Sequence, residues 1–147
     1  MLLIDANVLI NAYREDAPDH PAYYAWLDGI FRTHASFALA DITAAAFVRV
    51  LTNPHIYHTP EPIDSVLSNI DDIRSRPECV YLQPGDRHWA IFSHLCRTVN
   101  ASANLITDAW LAALAIENNC ELISIDRDFA KFPGLRWRRP LDPPTST

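Results

Sequence analysis

The chain has 147 residues, of which 49% are hydrophobic, and its formal net charge at pH 7 is −6. This length suits one domain with a sizeable buried core. The acidic balance excludes a simple basic module that holds nucleic acid by neutralising phosphates. It is compatible with a cation site built from carboxylates, where a bound metal reverses the local charge.

The first third of the chain alternates short apolar runs with stretches of helical periodicity. The predicted elements, in chain order, are a strand at 2–4, a helix at 7–14, a loop at 15–21, a helix at 22–32, a strand at 36–40 and a helix at 41–51. The pair Asn53-Pro54 stops the last of these helices. Strands and helices therefore follow one another from the start.

The same alternation continues to the end of the chain. The predicted elements are a turn-rich connection at 55–62, a helix at 63–74, a strand at 79–82, a helix at 86–98 capped by Asp86, a helix that opens at 104–108 and runs through 118, and strands at 121–125 and 135–139. This order predicts a single-domain α/β fold with a mainly parallel, twisted sheet covered by helices on both faces. We expect one domain over 1–141 and a flexible tail over 142–147.

The ends and the cysteines indicate a cellular compartment. No basic region precedes the apolar run after Met1, so we expect no signal peptide. No apolar stretch approaches the roughly 18 residues that a membrane span needs. The three cysteines are far apart and form no C-x-x-C pair, which is typical of reduced thiols. We therefore expect a cytoplasmic protein without a membrane segment.

Three aspartates stand directly after apolar runs. Asp5 follows the first predicted strand, Asp126 follows the strand at 121–125, and Asp108 follows the short run Leu105-Ile106. In an open parallel sheet, ligands bind beyond the carboxyl ends of the strands, so these acids could share one site. Clustered carboxylates repel one another unless a cation compensates them, and hard oxygen ligands suit Mg²⁺ or Mn²⁺. An aspartate at a helix start is also a common cap, so the pattern leaves a metal site and simple capping both open.

Several segments together resemble the PIN-domain family, and more narrowly the VapC toxins of bacterial toxin–antitoxin pairs. They are MLLIDANVLI at 1–10, FVRVLTNP at 47–54, NLITDA at 104–109, SIDRDF at 124–129 and FPGLRW at 132–137. The similarity extends from residue 1 to about 141. Each motif alone is weakly specific, whereas their order and spacing together are specific.

The resemblance implies a Mg²⁺- or Mn²⁺-dependent endoribonuclease that acts on a structured cellular RNA, forms a homodimer and is held inactive by a cognate antitoxin. It implies a three-layer PIN-like fold. By position it makes Asp5, Asp108 and Asp126 the catalytic, metal-binding acids. The supporting positions are Asn7, Asn104, Thr107 and Asp128.

One position departs from the family pattern. The family has a glutamate directly before the FVRVLTNP segment, where this chain has Ala46. Either the natural protein lacks that glutamate, or it was replaced to silence a toxic nuclease, which is the favoured explanation. Asp41 lies roughly 140° away around the helix and should not substitute. We therefore expect a folded chain with weak or no nuclease activity.

Arginines supply almost all of the positive charge. Arg136, Arg138 and Arg139 could bind RNA phosphates beside the acids, or they could belong to a solvated surface strand. Arg49 could face RNA or lie on an exposed helix face. The sequence leaves both alternatives open.

Two other functions compete with the nuclease. A catalytically inert PIN-like module that only binds an antitoxin would retain the fold and lack the glutamate. A phosphohydrolase of the haloacid dehalogenase type would need a second aspartate where the start of this chain has Asn7, and no P-loop is present. The inert module is therefore the main alternative.

Overall fold

Five short apolar runs form one sheet in the computed structural model, which describes residues 1–144. The strands are β1 (Leu2–Ile4), β2 (Phe37–Ala40), β3 (Cys79–Leu82), β4 (Glu121–Ile123) and β5 (Trp137–Arg138). Their order is β3-β2-β1-β4-β5, and all four pairings are parallel. The predicted parallel α/β sheet is confirmed.

Helices cover both faces of this sheet. They are α1 (Ala6–Tyr13), α2 (His20–Arg32), α3 (Asp41–Leu51), α4 (Ile63–Arg74), α5 (His88–Val99) and α6 (Asn104–Glu117), with a 3₁₀ helix at Arg127–Lys131. Neighbouring strand residues point to opposite layers: Leu3 packs in the core with α5 and α6, and Ile4 packs in the core with α1 to α4. Burial on both faces explains why the strands are continuous apolar runs rather than alternating ones.

The strand order creates a crevice at one point of the sheet. Strand β1 lies between β2 and β4, so the chain leaves β1 toward one side and later returns to its other side. In open α/β sheets this reversal places a ligand crevice beyond the carboxyl ends of the two central strands. Here those strands are β1, which Asp5 follows, and β4, which leads to Asp126.

Three helix starts differ from the predicted ones, that of α1 by a single residue. Helix α2 begins at His20, because Pro21 fits in a first turn, where its missing N–H would have no helical partner. The predicted cap at Asp86 is wrong: α5 begins after Arg87, which makes no side-chain cap. Instead, the carboxylate of Glu117 accepts hydrogen bonds from the backbone N–H groups of Gly85 and Arg87 at 2.9 and 3.1 Å. A tertiary contact takes the place of the local cap.

The strands β2, β4 and β5 are shorter than the predicted ranges. After Ile123, the N–H of Ser124 still donates to the carbonyl of Arg138, whereas the N–H of Ile125 donates to the side chain of Asn7. A side chain thus replaces the ladder of β4 at Ile125, one residue before Asp126. This break positions the residues of the site.

The C-terminal segment is described only in part. Asp142 accepts hydrogen bonds from Arg139, and residues 145–147 of the predicted tail lie outside the described residues. The boundary at 141 therefore stays a prediction. Across residues 1–144, none of the helices is long and apolar enough to span a membrane.

Candidate metal centre

Asp5 lies at the junction of β1 and α1. Its N–H donates to the carbonyl of Ile123 at 2.9 Å, which places it at the carboxyl edge of the two central strands. One carboxylate oxygen caps α1 by accepting from the N–H of Ala6 at 2.7 Å. The other accepts from the hydroxyl of Ser124 at 2.7 Å. Capping and site formation, which the sequence left as alternatives, coexist at this residue.

Ser124 is the hydrogen-bonding centre of the site. Its fully buried hydroxyl donates to Asp5 and accepts from Asn7 Nδ2 at 3.0 Å and from the N–H of Asp126 at 3.1 Å. It therefore connects the loops that follow β1 and β4. Sequence reasoning missed this residue. The available signal was a lone hydroxyl between Ile123 and Ile125 at the end of a buried strand.

Asn7 holds the loop after β4 from the opposite side. Its Oδ1 accepts from the N–H of Ile125 at 3.2 Å, and its Nδ2 donates to Ser124. The side chain thereby satisfies backbone and hydroxyl groups that the shortened strand leaves available. Asn7 thus holds the segment that leads to Asp126, and its supporting role at a metal site stays a prediction.

Asp108 reaches the site from a helix, not from the end of a strand. The run Leu105-Ile106 lies inside α6, which begins at Asn104, so Asp108 stands just over one turn into the helix. The predicted helix that opens at 104–108 is confirmed, so Asp108 differs from Asp5 and Asp126, which follow strands. Helix α6 nevertheless carries the carboxylate to the other acids.

Three carboxylates converge at this point. Asp108, Asp126 and Asp128 each offer an oxygen, and these oxygens all lie within 4.8 Å of one another. Asp126 also accepts from the N–H of Asp128 at 2.9 Å, which fixes the turn between them. Asp5 is outside this group but adjoins it, because it lines a small cavity together with Asp108. The site therefore has four acids, three of them in direct proximity.

The electrostatics of these acids indicate a need for a cation. Burial, followed by the charges of Asp126, Asp5 and Asp128, raises the pKa of Asp108 to about 6. Burial also raises the pKa of Asp5, although the hydrogen bond from Ser124 opposes that shift. Half-buried carboxylates with oxygen donors only are suited to Mg²⁺ or Mn²⁺ rather than to softer metals. The donor set fits a hard divalent ion.

A cavity of about 60 Å³ opens beside Ala46 and is named here the Ala46 chamber. Its walls include Asp5 and Asp108, with Thr43 one helical turn before Ala46 on α3. Asp41 does not reach it, because its carboxylate accepts from Arg74 at 3.0 Å and from Gln83 at 3.1 Å. In agreement with the expectation from helix geometry, the Asp41 carboxylate lies outside the chamber.

A larger cavity of about 380 Å³ forms the mouth of the site. It is lined by Arg49, Asn104, Thr107, Asp108, Asp126 and Asp128. The predicted supporting residues Asn104 and Thr107 therefore lie beside the acids. Arg49 faces the same space from α3, which favours the first of its two alternatives.

A family model described as PIN domain matches residues 2–135. The chain belongs to the PIN-domain family. Within that family, VapC ribonuclease Mb2897 of Mycobacterium bovis is 40% identical over 142 residues, which are 97% of this chain and 97% of that protein. This degree of similarity over nearly the full length includes the chain among the VapC proteins.

Solved structures share the fold of this PIN domain at low sequence identity. A toxin-antitoxin complex from Klebsiella pneumoniae has a TM-score of 0.63 and 16% identity, covering 97% of this chain and 99% of that one. VapC20 of Mycobacterium tuberculosis, described as a Sarcin-Ricin loop cleaving toxin, has a TM-score of 0.63 and 12% identity, covering 92% and 99%. Both matches support the three-layer architecture.

The C-terminal arginines of this PIN domain all have partners within the chain. Arg138 forms a largely buried ion pair with Glu121 at 2.7 Å, and Arg139 pairs with Asp142 at 3.1 Å. Arg136 donates to the carbonyl of Asn119 at 2.7 Å. These contacts give all three side chains structural roles at the edge of the sheet, and their contact with RNA stays a prediction.

Proposed function

We propose that this chain is the toxin of a type II toxin–antitoxin pair, with the site of a Mg²⁺- or Mn²⁺-dependent endoribonuclease, and that Ala46 impairs its activity. The observation that carries the proposal is the convergence of the carboxylates of Asp108, Asp126 and Asp128, with Asp5 adjoining them. The name of the 40% identical relative, a VapC ribonuclease, supports the reaction class.

The acids would hold the cation, and the buried hydroxyl would orient them. Asp108, Asp126 and Asp5 are the proposed ligands, and Asp128 assists at the rim. When bound, such a cation polarises the scissile phosphate and lowers the pKa of a coordinated water, so that no covalent nucleophile is needed. The hydroxyl of Ser124 donates to one oxygen of Asp5 and thereby orients its carboxylate. Asn7 holds the loop that carries Asp126.

RNA would approach through the larger cavity. Arg49 lines this cavity together with the carboxylates, where a guanidinium can bind a phosphate next to the cleaved one. A structured RNA is the proposed substrate, since VapC20, with the same fold, is described as cleaving the Sarcin-Ricin loop. Arg136, Arg138 and Arg139 are proposed as further RNA contacts on the C-terminal strand and the segment that follows it.

A cognate antitoxin and a second copy of the chain are the proposed protein partners, with the cytoplasm as the compartment. The Klebsiella pneumoniae neighbour is described as a toxin-antitoxin complex, which supports the first of these partners. Light scattering during size-exclusion chromatography tests the homodimer: a mass near twice 16.6 kDa is expected, and a monomer contradicts it.

The second candidate is a catalytically inert module that binds the antitoxin and cuts no RNA. The cavity beside Ala46 favours it, because no carboxylate occupies that wall and Asp41 is engaged elsewhere. The two candidates differ in what a restored acid does. Only a nuclease site that has lost one ligand recovers cleavage when Ala46 is replaced by glutamate.

The test is RNA cleavage with Mn²⁺, using a Sarcin-Ricin loop hairpin and total bacterial RNA. Ala46→Glu should cleave at least about tenfold faster than the present chain, because even groups that only orient metal ligands are worth 10- to 100-fold. Adding Asp126→Asn should abolish the gain, whereas Asp71→Asn, on the exposed face of α4, should leave it intact. A folded Ala46→Glu variant that cuts neither RNA would support the inert module.

A further inference from the structure

The carbonyl of Ser124 loses its ladder donor because of a proline. In the parallel pairing of β4 with β5, the N–H of Ser124 donates to the carbonyl of Arg138 at 3.2 Å. In such a ladder, the carbonyl of the same residue accepts from the N–H two residues further along the partner strand, here at position 140. That residue is Pro140, which has no N–H to donate. The sequence therefore removes the backbone donor that this fully buried residue would otherwise have.

Trp137 supplies a donor in its place. Its indole Nε1–H donates to the carbonyl of Ser124 at 3.1 Å. The side chain is half-buried on β5 and packs against the core formed with α5 and α6. An indole N–H can only donate, and a buried one normally finds an acceptor. The bond therefore pairs this donor with the carbonyl that Pro140 cannot serve.

Asn7 holds the same peptide group from the other side. The peptide that joins Ser124 to Ile125 carries both the carbonyl that Trp137 binds and the N–H that donates to Oδ1 of Asn7 at 3.2 Å. Strand β4 lies between β1 and β5, so one contact comes from the β1 side and the other from β5. Because a peptide unit is planar, contacts at its two ends fix its orientation.

The orientation of this peptide bears on two acids of the metal centre. The hydroxyl of Ser124, on one side of it, donates to Asp5 at 2.7 Å and accepts from the N–H of Asp126 at 3.1 Å. On the other side, the chain reaches Asp126 after the single residue Ile125. A rotation of the peptide would therefore displace both the hydroxyl and the loop that carries Asp126.

We propose that Trp137 is a positioning residue of the metal centre, whose indole N–H orients the peptide between Ser124 and Ile125 and thereby the carboxylates of Asp5 and Asp126. This proposal rests on the metal centre of the proposed function. It requires that removal of the indole N–H alone, with the ring retained, weakens binding of the divalent ion.

Calorimetry measures the Mn²⁺ affinity of the present chain and of Ala46→Glu, each with and without replacement of Trp137 by benzothienylalanine. This amino acid keeps the shape of the indole but has sulfur in place of the N–H. The replacement should weaken Mn²⁺ binding about tenfold, the lower end of the range for groups that orient metal ligands. Trp89→Phe, at a position on α5 that is 66% exposed, is the matched control and should leave the affinity unchanged.

Trp137→Phe is a second variant that lacks the donor. It should weaken Mn²⁺ binding at least as much, because it also loosens packing around the peptide. If it does not fold, the benzothienylalanine protein still decides the question. An unchanged Mn²⁺ affinity in that folded protein would overturn the proposal, even if its free energy of unfolding were lower.

Nuclear magnetic resonance gives a readout that a purely structural tryptophan would not move. The chain has four tryptophans, and Trp137→Phe and Trp89→Phe identify two of their indole N–H signals. Saturating Mg²⁺ should shift the signal of Trp137, because a change at Asp5 and Asp126 reaches the indole through Ser124. The signal of Trp89 should stay in place. A Trp137 signal that does not respond to bound Mg²⁺ would contradict the proposal.

The same titrations distinguish two kinds of failure. Mn²⁺ that binds equally well with and without the indole N–H would leave the metal centre standing and reduce Trp137 to a packing residue. Absence of Mn²⁺ binding in Ala46→Glu as well as in the present chain would overturn the proposed function and this inference with it.

Discussion

Replacing Asp108 by asparagine should stabilise the metal-free protein at alkaline pH. The carboxylate of Asp108 is half-buried and lies beside three other acids. Its burial, followed by the charges of those acids, raises its pKa from 3.8 to about 6. An amide of the same shape carries no charge and experiences no such repulsion. Asp108→Asn therefore removes a cost that the folded protein pays for keeping its site.

The size of this effect follows from the difference in pKa. About 2 pKa units at 1.36 kcal/mol each set an upper limit of about 3 kcal/mol. Solvent screening at a half-buried group reduces this to about 1 kcal/mol. For a domain of this length, that gain corresponds to about 2–4 °C in melting temperature.

The sign of the pH dependence is specific. The pKa of Asp108 is higher in the folded protein than in the unfolded chain. The stability that protonation of this carboxyl contributes is therefore fully present below the unfolded pKa and is lost as pH rises through about 6. The present chain and Asp108→Asn should thus be equally stable near pH 4. Above about pH 6.5 the variant should be the more stable of the two.

Urea unfolding in the presence of a chelator measures this difference at pH 4 and pH 8. Asp71→Asn, on the exposed face of α4, is the matched control and should show no gain at either pH. A gain for Asp108→Asn that is absent at pH 8, or equal at both pH values, would refute the convergence of charges. Saturating Mn²⁺ should reverse the order at pH 8, because the cation stabilises only the chain with the intact acid.

Three further perturbations test other parts of the account. Ser124→Ala should lower the free energy of unfolding in urea by about 1–3 kcal/mol, because Asp5 and Asn7 lose a buried partner. The same variant should weaken Mn²⁺ binding in calorimetry, and an unchanged Mn²⁺ affinity would contradict the positioning role of Ser124. Ala103→Gly should stabilise the chain by about 1 kcal/mol in the same unfolding assay, because Ala103 has φ 51° and ψ −129°, a region nearly restricted to glycine. A less stable variant would contradict the presence of backbone strain at this position. Arg49→Gln should weaken RNA binding and lower its salt dependence, measured by fluorescence anisotropy, without changing Mn²⁺ affinity; an unchanged salt slope would exclude a phosphate contact.

The sheet was accessible from the sequence because its strands are buried on both faces. Continuous apolar runs such as Leu2–Ile4 and Phe37–Ala40 alternate with helices, and this alternation is enough to imply parallel pairing. Asp5 and Asp126 could be placed at one edge for the same reason, since both follow central strands. Local pattern and topology agree at these positions.

The remaining parts of the site depend on contacts that no local pattern encodes. Ser124 bonds to Asn7 across 117 residues of chain, so its role exists only once β1 and β4 are paired. Asp108 arrives on α6, whose approach to the sheet is set by packing of its buried face. Glu117 likewise replaces the cap expected at Asp86 through a contact 30 residues or more away. Tertiary structure decides each of these.

Anomalous diffraction from crystals soaked in Mn²⁺ tests the central claim most directly. The account predicts a Mn²⁺ peak in contact with carboxylate oxygens of Asp108 and Asp126, close to Asp5 and Asp128, and its disappearance in Asp126→Asn. A protein that crystallises with the same fold, yet shows no peak among these acids at millimolar Mn²⁺, would contradict the claim that they form a metal centre.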